Sequence, residues 1–179
     1  FIPHKNTDVG IKLADDPEIM EGFNVRSASL KDGSWKNGWH EFCLSKEESY
    51  KEYEELLKTE NPDIALLINA SGFGKFEATI DTPVSDNLNM VDLNCKAIVA
   101  LCQLSVPYMK CGAQIINIAS VAAFQPVPYI NVYSATKAFV LSFTRALNVE
   151  LKKRGIKCIA ICPGWVKTEF FDRAVKDDT

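Results

Sequence analysis

Gln114-Ile-Ile-Asn-Ile-Ala119, closed by Ser120, is a short continuous apolar run. Runs of this length mark a strand buried on both faces, as in a parallel sheet. Two others resemble it, Asp63-Ile-Ala-Leu-Leu-Ile-Asn69 before it and Ile156-Lys-Cys-Ile-Ala-Ile-Cys162 after it. Between the three lie two long helical patterns, about Val84 to Met109 and about Tyr133 to Lys153, the second ended by Gly155 as a C-terminal cap. Strands alternating with helices of this length predict an α/β fold with right-handed crossovers.

Working outward, Ser45 followed by Glu48 reads as a capping box, opening a helix from about Lys46 to Thr59. Tyr50, Tyr53, Leu56 and Leu57 share one face of that helix, while its glutamates and lysines form a solvated face. Residues 1–40 show no sustained period and scatter Gly10, Gly22, Gly33 and Gly38 among polar residues, so they are expected to be mostly irregular and are left unassigned. The catalytic domain is expected over residues 41–179.

The composition narrows the function. A hydrophobic share of 47% in 179 residues fits one globular domain, and a net charge of -3 offers no general attraction for nucleic acid or anionic membranes. No apolar run approaches the roughly 18 residues of a membrane helix, and no secretory signal opens the chain, which points to a cytoplasmic protein. The six cysteines contain no C-x-x-C pair and read as small buried hydrophobes. His4 and His40 lie far from any ligand set and read as surface residues, so neither a zinc site nor a histidine-based nucleophile has its parts.

In a parallel sheet, ligands bind outside the carboxyl ends of the strands. Asn69-Ala-Ser-Gly72, Ser120 and Pro163-Gly164 follow the three strands and so converge on one edge. Tyr133-Ser-Ala-Thr-Lys137 puts a phenol and an ammonium on one helical face. A phenol near pKa 10 is a poor acid-base catalyst at neutrality, and a fixed cation nearby lowers that value. Taken by itself, the same spacing also describes a half-buried tyrosine beside a solvated lysine. Ser120, at a strand end thirteen positions before Tyr133, tips the balance, since its hydroxyl could share a substrate oxygen with the phenol.

With those residues in place, roughly Phe42 to Thr168 resembles the short-chain dehydrogenase/reductase family. Asn69-Ala-Ser-Gly72 is similar to the family's N-A-G turn, with Ser71 an insertion or variant. Asn94, in Asp92-Leu-Asn-Cys95, matches the family's helix asparagine, and Pro163-Gly-Trp-Val-Lys-Thr168 matches its P-G-x-V-x-T segment. The resemblance implies a Rossmann-like doubly wound parallel sheet and NAD or NADP as cofactor. It implies Asn94, Ser120, Tyr133 and Lys137 as the catalytic set, with Tyr133 as acid/base on a carbonyl or secondary alcohol. Asn69, Ala70, Ser71, Gly72, Tyr133, Lys137, Pro163, Gly164, Val166 and Thr168 would bind cofactor. Asn94 would interrupt its helix and hold a water relaying protons to Lys137, or simply cap or kink the helix. A homo-oligomer joined through the two long helices follows by the same analogy.

The loop Val121 to Val132 is mostly apolar; it either lines a pocket for a hydrophobic substrate or is a turn stiffened by Pro126 and Pro128. Trp165 reads as a packing residue. The family's T-G-x-x-x-G-x-G loop is not found in residues 1–43, and aligning Phe42-Cys-Leu-Ser45 with its third strand puts Cys43 where an aspartate usually meets the adenine. The sheet is therefore expected to be incomplete. A remnant of the fold serving as a non-catalytic interaction module is the alternative. A sugar epimerase or dehydratase of the related extended fold also uses Y-x-x-x-K, with a larger carboxyl-terminal domain.

Overall fold

The computed structural model describes residues 2–3, 8–13, 24–31, 34–43 and 47–165, with side chains from residue 51 onward. The expected helix of residues 46–59 is α1, Glu47–Glu60, with Tyr53 and Leu57 buried against the core as the periodicity required. Ser45 of the capping box and His4 lie outside the described residues, as do Val166 and Thr168.

The three apolar runs form a parallel sheet. Its strands are β5, Leu66–Asn69, β6, Gln114–Ile118, and β7, Lys157–Ile161, in the order β5-β6-β7 with Asn69 opposite Asn117 and Asn117 opposite Ala160. Each strand is shorter than its apolar run, because pairing stops where the chain peels away toward a helix. Leu67 and Ile115 are fully buried in the centre of the core, joined by Ile64, Ile98, Leu101, Val140 and Ile156. The α/β class and the incompleteness of the sheet are both as expected.

The first long helical pattern is not one helix. It divides into α2, Val84–Val91, a π-helical turn over Asp92–Lys96, α3, Ala97–Ser105, and a 3-10 turn to Tyr108. Taken together, Val84–Tyr108 is long and apolar enough on average to cross a membrane, although polar residues break its apolar run. Its inward residues Met90, Leu93, Ala97, Ile98, Leu101 and Cys102 are buried, as in the core helix of a globular fold.

The second helix, α4, runs Asn131–Leu151 and ends in a 3-10 turn closed by Gly155 at φ 69. That left-handed conformation suits glycine, and a Cβ there would meet Cys111 Sγ at 2.5 Å. Along α4, Lys137, Val140, Thr144 and Leu151 form one buried stripe, and Tyr133 stands a turn before Lys137.

The expectation for residues 1–40 is corrected by the structure. They hold an antiparallel meander of β1, Ile2–Pro3, β2, Asp8–Leu13, β3, Asn24–Lys31, and β4, Ser34–Cys43, in the order β1-β2-β3-β4. Val9, Ile11 and Leu13 do alternate with Asp8, Gly10 and Lys12, a period of two too short to stand out in a long window. Phe42 and Cys43 accordingly pair antiparallel with Val25 and Asn24. They do not extend the parallel sheet as the third-strand alignment supposed, and β4 runs across the expected boundary at residues 40 and 41.

Candidate active site

Ser120 stands just beyond β6, nearly buried, with extended backbone, and its Oγ accepts a hydrogen bond from Ala122 N at 3.1 Å. The loop after it folds into a 3-10 turn, Val121–Phe124, and returns to α4. Tyr133 in the first turn of α4 is thereby brought back to Ser120. Burial pushes its phenol above the ordinary tyrosine range, and the nearby Ser120 hydroxyl partly offsets this.

Lys137 is buried, not solvated, and its Nζ donates to Ile118 O at 2.8 Å. Its ammonium lies 5.6 Å from the centroid of the Tyr133 ring, a cation–π contact. Burial pulls the lysine down to about 8, opposed by the thiols of Cys95 and Cys162. The sequence suggested that the cation lowers the tyrosine; in this geometry it faces the ring, and burial dominates both groups.

Asn94 is wholly buried in the π-helical turn. Its Oδ1 accepts from Phe73 N at 3.2 Å, and its Nδ2 donates to Phe73 O at 2.9 Å and to Thr136 Oγ1 at 3.0 Å. The helix is indeed interrupted where Asn94 stands, and the amide clasps the loop after β5 to α4. Thr136 completes the clasp by donating to Tyr133 O at 2.7 Å. Gly72 is pressed into this corner, where a Cβ would lie 2.8 Å from Asn94 Oδ1 and 3.2 Å from Lys137 Nζ.

Behind the site runs a polar ladder that the apolar patterns did not reveal. Asn69 Nδ2 donates to Asn117 Oδ1 at 2.7 Å and approaches Cys102 Sγ at 3.5 Å, while Asn117 Nδ2 donates to Thr144 Oγ1 at 2.9 Å. The Asn69 side chain is thus turned into the interior. Ala70, Ser71 and Gly72 lie at the carboxyl edge, as do Pro163 and Gly164, and Pro163 O accepts from Val121 N at 3.0 Å.

Trp165 is 79% exposed, not packed as the sequence suggested, and it stacks on Phe76 with ring centroids 6.2 Å apart. Within the apolar loop, Val121, Phe124 and Tyr129 are exposed.

The sequence model of the family described as short chain dehydrogenase matches residues 36–179. The chain belongs to the short chain dehydrogenase family. An uncharacterized oxidoreductase of Staphylococcus epidermidis is 35% identical over 107 residues, 59% of this chain and 46% of the relative. An uncharacterized short-chain type dehydrogenase/reductase of Sinorhizobium fredii is 32% identical over 169 residues, 94% of this chain and 29% of its own. Among solved structures, a short-chain dehydrogenase from Sphingobium yanoikuyae in complex with NADPH is 29% identical, with a TM-score of 0.66 over 74% of this chain and 52% of that one. The bulky-bulky ketone specific alcohol dehydrogenase from Comamonas testosteroni is 31% identical, with a TM-score of 0.62 over 70% and 51%. The chain therefore spans about half the length, or less, of these relatives.

Proposed function

We propose that the chain carries the catalytic half of an NAD(P)-dependent oxidoreductase that interconverts a carbonyl and a secondary alcohol, within residues 41–179. One observation carries the reading: the Tyr133 phenol is close enough to the Ser120 hydroxyl to be influenced by it, and its ring faces the buried ammonium of Lys137 at 5.6 Å. Two hydroxyls so placed can take one substrate oxygen between them. Ser120 holds and polarises that oxygen. Tyr133 gives it a proton during reduction and removes one from the alcohol during oxidation.

NAD or NADP, when bound, supplies or accepts the hydride at the reacting carbon. The Lys137 ammonium suits such a group, being held beside the Tyr133 ring at the carboxyl edge of the sheet by its bond to Ile118 O. Among the described residues the ammonium spends one hydrogen on Ile118 O, leaving two to meet a pair of ribose hydroxyls. Ala70, Ser71, Gly72, Pro163 and Gly164 would contribute from the strand ends, Asn69 through its backbone, and Val166 and Thr168 further along. Asn94 holds Thr136 and the loop after β5 in register with Tyr133, besides any water it orders.

The exposed Val121, Phe124 and Tyr129 support a small, hydrophobic carbonyl or alcohol substrate. Exposed Val84, Leu88 and Val91 on α2, with Phe139 and Val149 on α4, support a homo-oligomer formed through these helices. The free thiols of Cys95, Cys102, Cys111, Cys158 and Cys162 suit a cytoplasmic protein.

Tyr133→Phe tests the reading. Turnover should fall at least about a hundredfold with cofactor affinity nearly unchanged. Retention of more than about a tenth of wild-type activity across several carbonyl substrates would remove Tyr133 from the chemistry.

A further inference from the structure

The Asn94 amide is fully committed on its donor side. One Nδ2 hydrogen goes to Phe73 O at 2.9 Å and the other to Thr136 Oγ1 at 3.0 Å, while Oδ1 accepts from Phe73 N at 3.2 Å. Thr136, buried and next in the chain to Lys137, carries the contact onward, because its Oγ1 donates to Tyr133 O at 2.7 Å. Cys95 Sγ, beside Asn94 in the π-helical turn, donates to Thr136 O at 3.8 Å. The side chain and the carbonyl of Thr136 are thus both met by Asp92–Lys96.

The turn of α4 that carries Tyr133 needs such a hold. α4 opens at Asn131, and its N-cap, Ile130, makes no side-chain hydrogen bond to the unpaired amides of the first turn. Ser134 Oγ donates to Asn131 O within that turn, and Thr79 Oγ1 reaches Asn131 Oδ1 only at the surface, where water competes for the bond. Lys137, one turn beyond Tyr133, has an anchor of its own in Ile118 O. Thr136 is the buried side chain that joins the main chain of Tyr133 to Asn94.

We infer that Thr136 is a positioning residue for the reaction: its hydroxyl, gripped by Asn94, holds the Tyr133 main chain so that the phenol keeps its place at Ser120. The inference rests on the oxidoreductase reading and adds to it the residue through which Asn94 acts on Tyr133. Displacing a reacting group by about 1 Å costs on the order of a hundredfold in rate. Cofactor contact is left to Lys137, which is anchored separately, so loss of the Thr136 hydroxyl should fall on kcat and spare KM.

The test uses the full-length protein with NADH and NADPH, reducing acetophenone and cyclohexanone. Thr136→Val keeps the outline of the side chain and removes its hydroxyl. Expressed per cofactor site, counted by fluorescence titration of the reduced cofactor, kcat should fall about ten- to a hundredfold, with KM for ketone and cofactor within about twofold of wild type. Thr136→Ser keeps the hydroxyl and should restore most of kcat. Thr136→Ala leaves room for a water beside the freed Asn94 hydrogen and should lose kcat as valine does, which covers a valine variant that fails to fold. Wild-type kcat in a folded valine or alanine variant, a loss carried by KM, or a loss that serine does not restore would overturn the positioning role and leave the oxidoreductase reading standing. Turnover of neither ketone nor any other carbonyl by wild type would instead overturn that reading, and the role of Thr136 with it.

Discussion

Gly72→Ala adds one methyl group at the most crowded point of the site. Gly72 does not have a positive φ, so alanine suits its backbone and the effect is one of space. The new Cβ would lie 2.8 Å from Asn94 Oδ1, 3.2 Å from Lys137 Nζ and 3.6 Å from Asn94 Cγ. Ordinary contact begins at 3.4 Å, so Oδ1 must retreat by roughly 0.6 Å. Asn94 has little freedom to do so: it is fully buried, and its Nδ2 is held by Phe73 O and Thr136 Oγ1. Retreat from Gly72 also stretches the 3.2 Å bond from Phe73 N, which follows Gly72 directly. Overpacking together with a weakened buried hydrogen bond should cost about 2–4 kcal/mol. For a chain of this size that lowers Tm by roughly 5–15 °C.

Thermal denaturation followed by circular dichroism, with Gly164→Ala as control, measures this directly. Gly164 has no atom within 4 Å of a built Cβ, so its variant should melt like wild type. A double-mutant cycle sharpens the test. In an Asn94→Ala background the oxygen is gone, and Gly72→Ala should cost less than half as much. Additive effects of the two substitutions, or an unchanged Tm for Gly72→Ala, would refute the close packing of Gly72 against Asn94.

Lys137→Met should change how stability depends on pH. The lysine's folded value of about 8 lies below the ordinary 10.5. Below pH 8 the fold therefore bears a buried charge, and as pH rises from about 8 toward 10.5 the folded state releases the proton first and gains stability. Between pH 7 and pH 9 wild type should gain about 1 kcal/mol relative to Lys137→Met in urea titrations, and a constant difference would contradict the burial argument. Gly155→Ala combines a φ of 69 with a Cβ 2.5 Å from Cys111 Sγ, and should lose at least about 2 kcal/mol in the same assay; a neutral result would show that the turn relaxes freely. Asn117→Leu leaves the Asn69 amide without its 2.7 Å acceptor and should cost about 2–4 kcal/mol, whereas a neutral or stabilised variant would show the polar ladder to be dispensable.

Legibility in the sequence followed the kind of interaction involved. Buried parallel strands and the long helices repeat apolar residues, so their runs and periods were plain, as was the glycine closing α4. The Ser120, Tyr133 and Lys137 set was legible because each stands at a strand end or on one helical face. The antiparallel meander was missed because its pairing depends on backbone partners, and its alternation is short and mixed with polar residues. In the sequence, Asp32-Gly33 is a dipeptide of the kind that favours two-residue hairpin loops, and the scatter of glycines over residues 1–40 hid it. Thr136, Phe73 and Thr144 were missed for another reason: their roles arise from contacts between elements far apart in sequence. The one available hint was a polar residue inside an apolar stretch, as at Asn117 and Thr144.

Those polar residues explain why the site can be so well placed at the end of so small a sheet. Tyr133 and Lys137 are carried by α4, whose buried stripe continues through Val140 and Thr144. Apolar packing would allow α4 to slide along the sheet, since one methyl group replaces another at little cost. Thr144 removes that freedom, because its hydroxyl donates to Val140 O at 2.6 Å and accepts from Asn117 on β6, and Asn117 accepts from Asn69 on β5. A shift of α4 would leave buried amides without partners, at about 1–3 kcal/mol each. Asn94 does the same at the other end, joining Thr136 on α4 to Phe73 after β5. Directional bonds at two points along α4 therefore fix its register against β5 and β6. That register sets the place of the Tyr133 hydroxyl relative to Ser120, which follows β6 directly.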